Sequence, residues 1–466
     1  MKKLVSSVML LLLLCGAVQA KKIKGKVVCG SERLSGVVVT DGRNFTRTGA
    51  NGIFRMDVAE DAEFVYIVTP SGYAADWSEG SPRFYRAASG ADGFTFDLIR
   101  LDGAGDSYNI VAVADPQPHS DAQFEEFAGQ PLEDLCGTIS SLEGMSAGIV
   151  LGDICYDVFH LQERWKEEIV RTGIPFYPAV GNHDHDRNVS EDIPSGSTYR
   201  SNFGPENYAF CMGRDIVIVL DDIIYSGRGS YIEGYTEDVL KWVEGLMEHV
   251  SEDADIYVAQ HSPLNGRNNM KMVHNHERML ELLDGHEVTF MSGHNHINGN
   301  FEYAPGVLEH NVAAICGTWW DAYHCVDGTP RGYKVFTKEG DRLTWYYKAV
   351  GHDRSFQHEV FMPGTTRVNP DCIVVNVWDY DNAWSIEWIE DGRHMGAMRQ
   401  VEEYSPLHTS ELEATYRNRD RGPAGHELTR TSKHCFAARP SATASQVQII
   451  IRDRFGNETT ETITLR

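Results

Sequence analysis

The 466-residue chain is 42% apolar and 23% charged, the composition of a globular protein, and its length suggests more than one domain. A formal charge of −25 excludes a general nucleic-acid binder, whose phosphate contacts need a basic face. It also repels polyanions, so any phosphate chemistry needs local positive charge, which a metal supplies.

At the N-terminus, Lys2 and Lys3 precede the apolar run Val8 to Leu14, and Ala17-Val18-Gln19-Ala20 offers small residues for cleavage. This reads as a signal peptide, residues 1–20, removed after Ala20, which places the mature chain in the periplasm or outside the cell. Cys15 raises a lipoprotein reading, but Leu14 before it is too large for a good lipobox. The run is shorter than the ~20 apolar residues that span a bilayer, and no other segment reads as transmembrane. Export permits disulfides. Of nine cysteines, eight remain once Cys15 is removed, and Cys316 and Cys325 are the best local candidate pair.

Residues 21–104 are predicted to form a small β-sandwich. "GKVVCG", "GVVVTDG", "GIFRMDV" and "EFVYIVTP" are short β-branched or aromatic runs separated by turn residues, among them Asn51-Gly52. From 105 to about 340 apolar strands alternate with segments of helical period, the pattern of an α/β domain. "YNIVAVAD" is followed by Leu132, Leu135, Cys136, Ile139 and Leu142 on one helical face. "AGIVLGD" is followed by Phe159, Trp165, Ile169 and Val170, with Gly173 as a stop. The clearest predicted helix covers Thr236 to Val250, with Glu237 and Asp238 at its positive end. From 341 to 466 the runs "LTWYYKAV", "CIVVNVWDY", "WSIEWI", "QVQIIIRD" and "TETITLR" predict a second β-rich domain.

Within the α/β domain, five apolar runs end in potential ligands: Asp115 with Gln117, Asp153, the group Asn182, His183 and Asp184, then His261, then His294 with His296. Ligands of open α/β sheets bind outside the carboxyl ends of strands, so these endings are predicted to share one crevice. One Asp after a strand is commonly a cap or turn residue; five such endings in order are hard to explain as turns.

The ordered set Asp115-x-Gln117, Gly152-Asp153, Gly181-Asn182-His183-Asp184, His261 and Gly293-His294-x-His296 resembles the calcineurin-like metallophosphoesterases. "FGPENYAF" and "DGTPRGY" resemble an exported bacterial subgroup whose catalytic domain is flanked by two β-rich domains. The resemblance implies a layered β-sheet core with helices and a two-metal centre bridged by Asp153. One ion would take Asp115, Asp153, His296 and Gln117, where many relatives have His. The other would take Asp153, Asn182, His261 and His294. The metals implied are two divalent or trivalent ions, Mn, Fe or Zn, which activate a bridging hydroxide to attack a phosphate mono- or diester. His183 is implied to stabilise the phosphoryl group or protonate the leaving oxygen, with Asp184 orienting it.

Two rival readings stay open at this point. "GDICY" and "VAQH" also match patterns of purple acid phosphatases, in which Tyr156 would be an iron ligand. A non-catalytic envelope- or glycan-binding protein with a degenerate site is the other rival, disfavoured by the intact ligand set. His119, His185 and Asp186 read as solvated loop residues. Asn265, Arg267, Trp319, Trp320, Tyr323 and Arg331 are candidates to line a substrate cleft, with core packing the stronger reading for the two tryptophans. "VHNHE", His274 to Glu277, reads as the exposed start of a helix and not as a further metal site.

Overall fold

The computed structural model describes residues 21–465 apart from 92, 102, 104, 106 and 268–270. The expected signal peptide and Cys15 lie outside the described residues. The middle of the molecule is built on two sheets. The first has the order Phe176–Ala179, Met145–Leu151, Ser107–Val113, Gly332–Glu339 and Arg342–Ala349. Its first three strands are parallel and the last two close it antiparallel. The second has the order Tyr208–Met212, Asp215–Val219, Ile256–Ala259, Val288–Ser292, Val307–Asn311 and Gly299–Ala304, with its four central strands parallel.

Side-chain alternation explains why these strands read as unbroken apolar runs. Ile110 and Ala112 enter the core shared with Val217, Val219 and Phe290 of the second sheet. Val111 and Val113 enter a separate core with Phe124, Leu132, Leu135 and Trp165 from the helices Asp121–Ala128, Gln130–Ser140 and His160–Ile169. A strand covered on both faces needs apolar residues on both. The predicted helices form where their signals lie. Thr236 caps Glu237–Met247 by accepting from the Val239 amide. The helix from His160 passes through a 3₁₀ turn and stops at Gly173, φ 76°. "VHNHE" leads into the short helix His276–Leu282, as its pattern indicated.

Two small sheets before residue 101 enclose Val27, Val39, Phe54, Val65 and Phe96, and this core is continuous with that of the central sheets. Phe84 packs on Tyr208 at 4.6 Å between ring centroids, and the Cys211 amide donates to the Thr69 carbonyl. At the other end, two four-stranded antiparallel sheets close over Ile373, Val375, Trp388, Phe436, Val447 and Ile449.

The sequence boundary at 340 needs moving. "LTWYYKAV", read as the first strand of the C-terminal region, is Arg342–Ala349 and pairs in full register with Gly332–Glu339 of the central sheet. An alternating strand pattern does not say which sheet receives it; the two-residue turn at Gly340 does, by folding it straight back. Cys316 and Cys325, the best local candidate pair, are not joined. Both thiols are free in one buried cluster with Ala313, Ala314 and Trp378. Burial pushes both thiols up, so they act as small apolar side chains.

Candidate metal centre

Asp115, Asp153, Asn182, His261 and His294 each follow, by two or three residues, the end of a strand in one of the two central sheets. The structure brings these endings together. One ligand atom each from Asp153, His261 and His294 lies within 4.8 Å of the others. Asn182 Oδ1 is 3.2 Å from His261 Nε2, and Gln117 Nε2 donates to Asp153 Oδ2 at 2.7 Å. His296 Nε2 stands 3.6 Å from Asp115 Oδ1, and Asp115 Oδ2 accepts from the His294 amide at 2.9 Å.

The backbone is bent to achieve this. Asp115, Gln117, Asp153, His294 and His296 all have φ between 45° and 68°, a left-handed conformation that costs a non-glycine residue about 1–3 kcal/mol. Such strain persists only where the surroundings over-determine it. Two glycines make the room. A Cβ on Gly181 would lie 2.2 Å from the Asp153 amide, and one on Gly293 would lie 2.5 Å from Asp115 Oδ2.

The histidines share a polarity. His261 Nδ1 is 2.8 Å from the Leu151 carbonyl, His296 Nδ1 is 3.0 Å from the Gly317 carbonyl, and His294 Nε2 is 3.1 Å from Glu233 Oε1. Each partner accepts, so each of these nitrogens carries the proton. The opposite nitrogen of each ring is turned inward, where neutral imidazole offers a lone pair. There His261 Nε2 and His294 Nδ1 face each other at 3.1 Å. Asp115 Oδ1 and Gln117 Oε1 are buried without a hydrogen-bond partner. Inward lone pairs, orphaned oxygens and buried carboxylates fit a pair of cations.

Electrostatics point the same way. Burial alone would lower the His261 pKa, but the Asp153 carboxylate outweighs it and pushes it up to about 10. Burial raises Asp115 to about 8 and lowers His296 to about 3. Burial would also raise Asp153, but His261 and His183 hold it below the usual carboxylate range. The protein alone thus keeps a proton between Asp153 and His261, where a cation would displace it.

His183 stands at the rim. Its amide donates to Asp153 Oδ1 at 2.8 Å, while its ring stacks on Tyr156 with centroids 3.9 Å apart. The expectation for Asp184 is corrected here. Its carboxylate does not orient His183; it accepts from the amides of Gly181 and Ile154 and from Gln162 Nε2, tying two ligand loops together. Burial raises it to about 7. The carboxylate on the His183 ring is Asp157, 3.0 Å from Nδ1 and itself held by Arg187 at 3.1 Å.

Other residues named from the sequence separate. Trp319 stacks on His296 at 4.0 Å, while the Trp320 indole donates to the Pro116 carbonyl. Arg331 is a strut to Glu126 and Gln130, not a cleft residue. His119 is exposed and Asp186 accepts within its own turn, but His185 is buried, bonded to Ser195 and stacked on Tyr225. A cleft of about 750 Å³ adjoins the centre through Glu233, the partner of His294, and is lined by none of the predicted ligands.

A model of the family "Calcineurin-like phosphoesterase" matches residues 108–298, and its companion models for the N-terminal and C-terminal regions match 21–100 and 309–458. The chain belongs to the calcineurin-like phosphoesterases. It is accordingly a hydrolase of phosphoric esters, in a family that works at a dimetal centre. Among solved structures it is similar to a dimetal phosphatase from Danio rerio, 13% identical over 52% of this chain and 96% of that one, with a TM-score of 0.37. It is also similar to a purple acid phosphatase from yellow lupin seeds, 13% identical over 68% and 67%, TM-score 0.38. A 5'-nucleotidase from Candida albicans is 12% identical over 52% of each chain, TM-score 0.33. No curated protein sequence gives a significant match.

Within this calcineurin-like frame the carboxylates that sequence reading missed are Asp157, Glu233 and Asp222. Asp222 is fully buried and accepts from the amides of His261 and Ser262 at 3.0 and 2.8 Å. Its signal is in "DIVIVLDD", a carboxylate at the end of an apolar strand like Asp115 and Asp153. Gln117 is the departure from the commoner histidine, and its orphaned Oε1 makes a clear expectation. Gln117→His lowers the metal concentration for half-maximal binding and Gln117→Ala raises it, each by roughly tenfold, as changes around metal ligands do. Titration calorimetry of the three proteins measures this; coincident isotherms would remove Gln117 from the centre.

Proposed function

We propose that the chain hydrolyses a phosphate mono- or diester at a two-metal centre and does so after export from the cytoplasm. The observation that carries the reading is the inward turn of His261, His294 and His296, each with its other nitrogen on an outward acceptor, around Asp115 and Asp153. Asp153 would be shared by the two ions, with Asp115, Gln117 and His296 on one side and Asn182, His261 and His294 on the other. Manganese, iron or zinc held there would supply positive charge for the phosphate and would lower the pKa of a water.

The chain's own residues do the rest. Glu233, Leu151 and Gly317 fix the tautomers of the three histidines. Asp184 holds the loops of Asp153 and Gly181 at their close approach. His183, with Nδ1 on Asp157, presents Nε2 to the leaving oxygen as proton donor. Screening the mature protein on 4-nitrophenyl phosphate and bis-4-nitrophenyl phosphate with added Mn, Fe or Zn tests the reading. Metal-dependent hydrolysis supports it; hydrolysis undiminished by chelation overturns the two-metal part. Export rests on the Lys2–Lys3 and Val8–Leu14 pattern, and an N-terminal sequence starting at Lys21 in the secreted fraction is its test.

The purple-acid-phosphatase reading makes Tyr156 an iron ligand. Its ring is half-buried and lies flat on His183, and Gln117 already stands against Asp153 where a further ligand would go. The iron-loaded protein is therefore expected to lack a visible tyrosinate-to-iron absorption band. A purple protein that bleaches on Tyr156→Phe reverses the assignment.

A further inference from the structure

After the strand Val307–Asn311 the chain crosses from one central sheet to the other beside the metal centre. The Val312 amide donates to the Ser292 carbonyl at 2.7 Å, and the Ile315 amide to the Ala114 carbonyl at 2.9 Å. The loop that follows, residues 316–321, then reaches the ligands assigned to one ion. The Gly317 carbonyl faces His296 Nδ1 at 3.0 Å, and the Trp319 ring stacks on the same imidazole at 4.0 Å. Trp320 Nε1 donates at 3.0 Å to the carbonyl of Pro116, which lies between Asp115 and Gln117. The histidines of the other ion are fixed from elsewhere, His261 by Leu151 and Asp222, His294 by Glu233.

This loop is strained. Trp319 and Trp320 are both left-handed, with φ of 47° and 66°, which is rare for bulky residues. Two in succession persist only where the surroundings over-determine them. The anchors come from the C-terminal region. Arg419 grips the Asp321 carboxylate with both ends of its guanidinium, at 2.8 and 2.9 Å, and the Tyr416 hydroxyl donates to it at 2.5 Å. The Thr415 hydroxyl donates to the Asp321 carbonyl, and His408 Nε2 lies 2.8 Å from Thr318 Oγ1. His408, Thr415 and Tyr416 share the helix Pro406–Tyr416, and Arg419 follows it. An ion pair of this kind could simply close a seam between two regions. Its place argues for more, because Asp321 adjoins the strained pair. Releasing it lets the loop relax, and relaxation draws Gly317, Trp319 and Trp320 away from His296 and Pro116.

We propose that Asp321 is a positioning residue for the ion assigned to Asp115, Gln117 and His296, and that the C-terminal region completes this half of the centre through Arg419 and Tyr416. The inference rests on the two-metal reading above and adds an asymmetry: one ion depends on the C-terminal region and the other does not. The ligands all fall within residues 108–298, whereas the loop and its anchors fall within 309–458.

Calorimetric titration of the full-length apo-protein with zinc tests this. In Arg419→Gln, half of the bound zinc should be weakened by about tenfold, the lower end of what loss of an outer support of a metal ligand costs. It should be the half that His296→Ala removes. The remaining half, and the melting temperature of the apo-protein, should stay near wild type. Arg419→Lys keeps the charge but not the two-pronged grip, so it should fall between. Asp321→Asn should act in the same direction. The Arg419 side chain is 41% exposed, so its variants keep the test open if Asp321→Asn does not fold. Equal weakening of both halves, or isotherms that coincide with wild type, overturns the positioning role and leaves the two-metal reading standing. A wild-type protein that binds one zinc or none removes that reading, and the positioning role with it.

Discussion

Asp153→Asn is expected to leave the metal-loaded protein with fewer than two ions per chain and to lower phosphate-ester hydrolysis at least 10–100-fold. That range is what loss of a residue merely supporting a metal ligand costs, and a shared ligand should cost more. Asp153 is the hub of the centre: Gln117 Nε2 and the His183 amide donate to it, and His261 Nε2 lies 3.4 Å away. It is one of only two carboxylates among the predicted ligands, the other being Asp115. An asparagine keeps the shape but removes a charge, and its amide group would point a hydrogen-bond donor at a nitrogen, His261 Nε2, whose lone pair must face a cation. Elemental analysis after reconstitution and dialysis gives the result directly. Wild-type protein should hold two transition-metal ions per chain. Retention of two ions and full turnover by Asp153→Asn would falsify the sharing of this carboxylate.

The centre was legible in the sequence because of where its residues fall. A parallel strand buried on both faces reads as an apolar run, so its end is easy to locate, and five of the runs ended in Asp, Asn or His. Fold class followed from the same runs, since strands of that kind need covering helices, and Val239, Leu240 and Val243 supplied one with the right period. What escaped lies outside that grammar. Glu233 reaches His294 across 61 positions from the end of the strand Ser230–Glu233, whose half-exposed alternation gives no sign of a metal site. Asp157 sits four residues past Asp153, yet Asp184, adjacent to His183, attracted the orienting role. Adjacency along the chain misled, because the 3₁₀ turn Asn182–Asp184 turns the neighbouring side chains in different directions. His185 was read as solvated for the same reason. Burial of a loop depends on what closes over it, here Tyr225 and Ser195. The strand Arg342–Ala349 carried the right secondary structure but no signal of its sheet, because pairing partners are a property of the turn and not of the run.

His183, whose ring is held by Asp157, gives the other large expected effect. His183→Ala should lower turnover by ~10²–10⁴-fold on esters with poor leaving groups, the usual contribution of a positioned general acid. On 4-nitrophenyl esters, whose leaving group needs little protonation, the loss should be much smaller. Metal content should not change, because the ring is held by Asp157 and Tyr156 and not by the inward donor group. Asp157→Asn should follow the same leaving-group pattern with a smaller amplitude, since the amide can still accept from Nδ1 but no longer stabilises a charged imidazolium. Asp184→Asn should not. Its carboxylate accepts from two amides and Gln162 in a fully buried position, so its loss should appear as a lower melting temperature and weaker metal binding, on good and poor leaving groups alike. Leaving-group series for the three variants, each with its metal content measured, separate these roles. A leaving-group dependence that appears in Asp184→Asn and is absent from Asp157→Asn would return the orienting role to Asp184. Loss of metal in His183→Ala would make His183 a ligand, because a proton donor outside the centre has no hold on the ions.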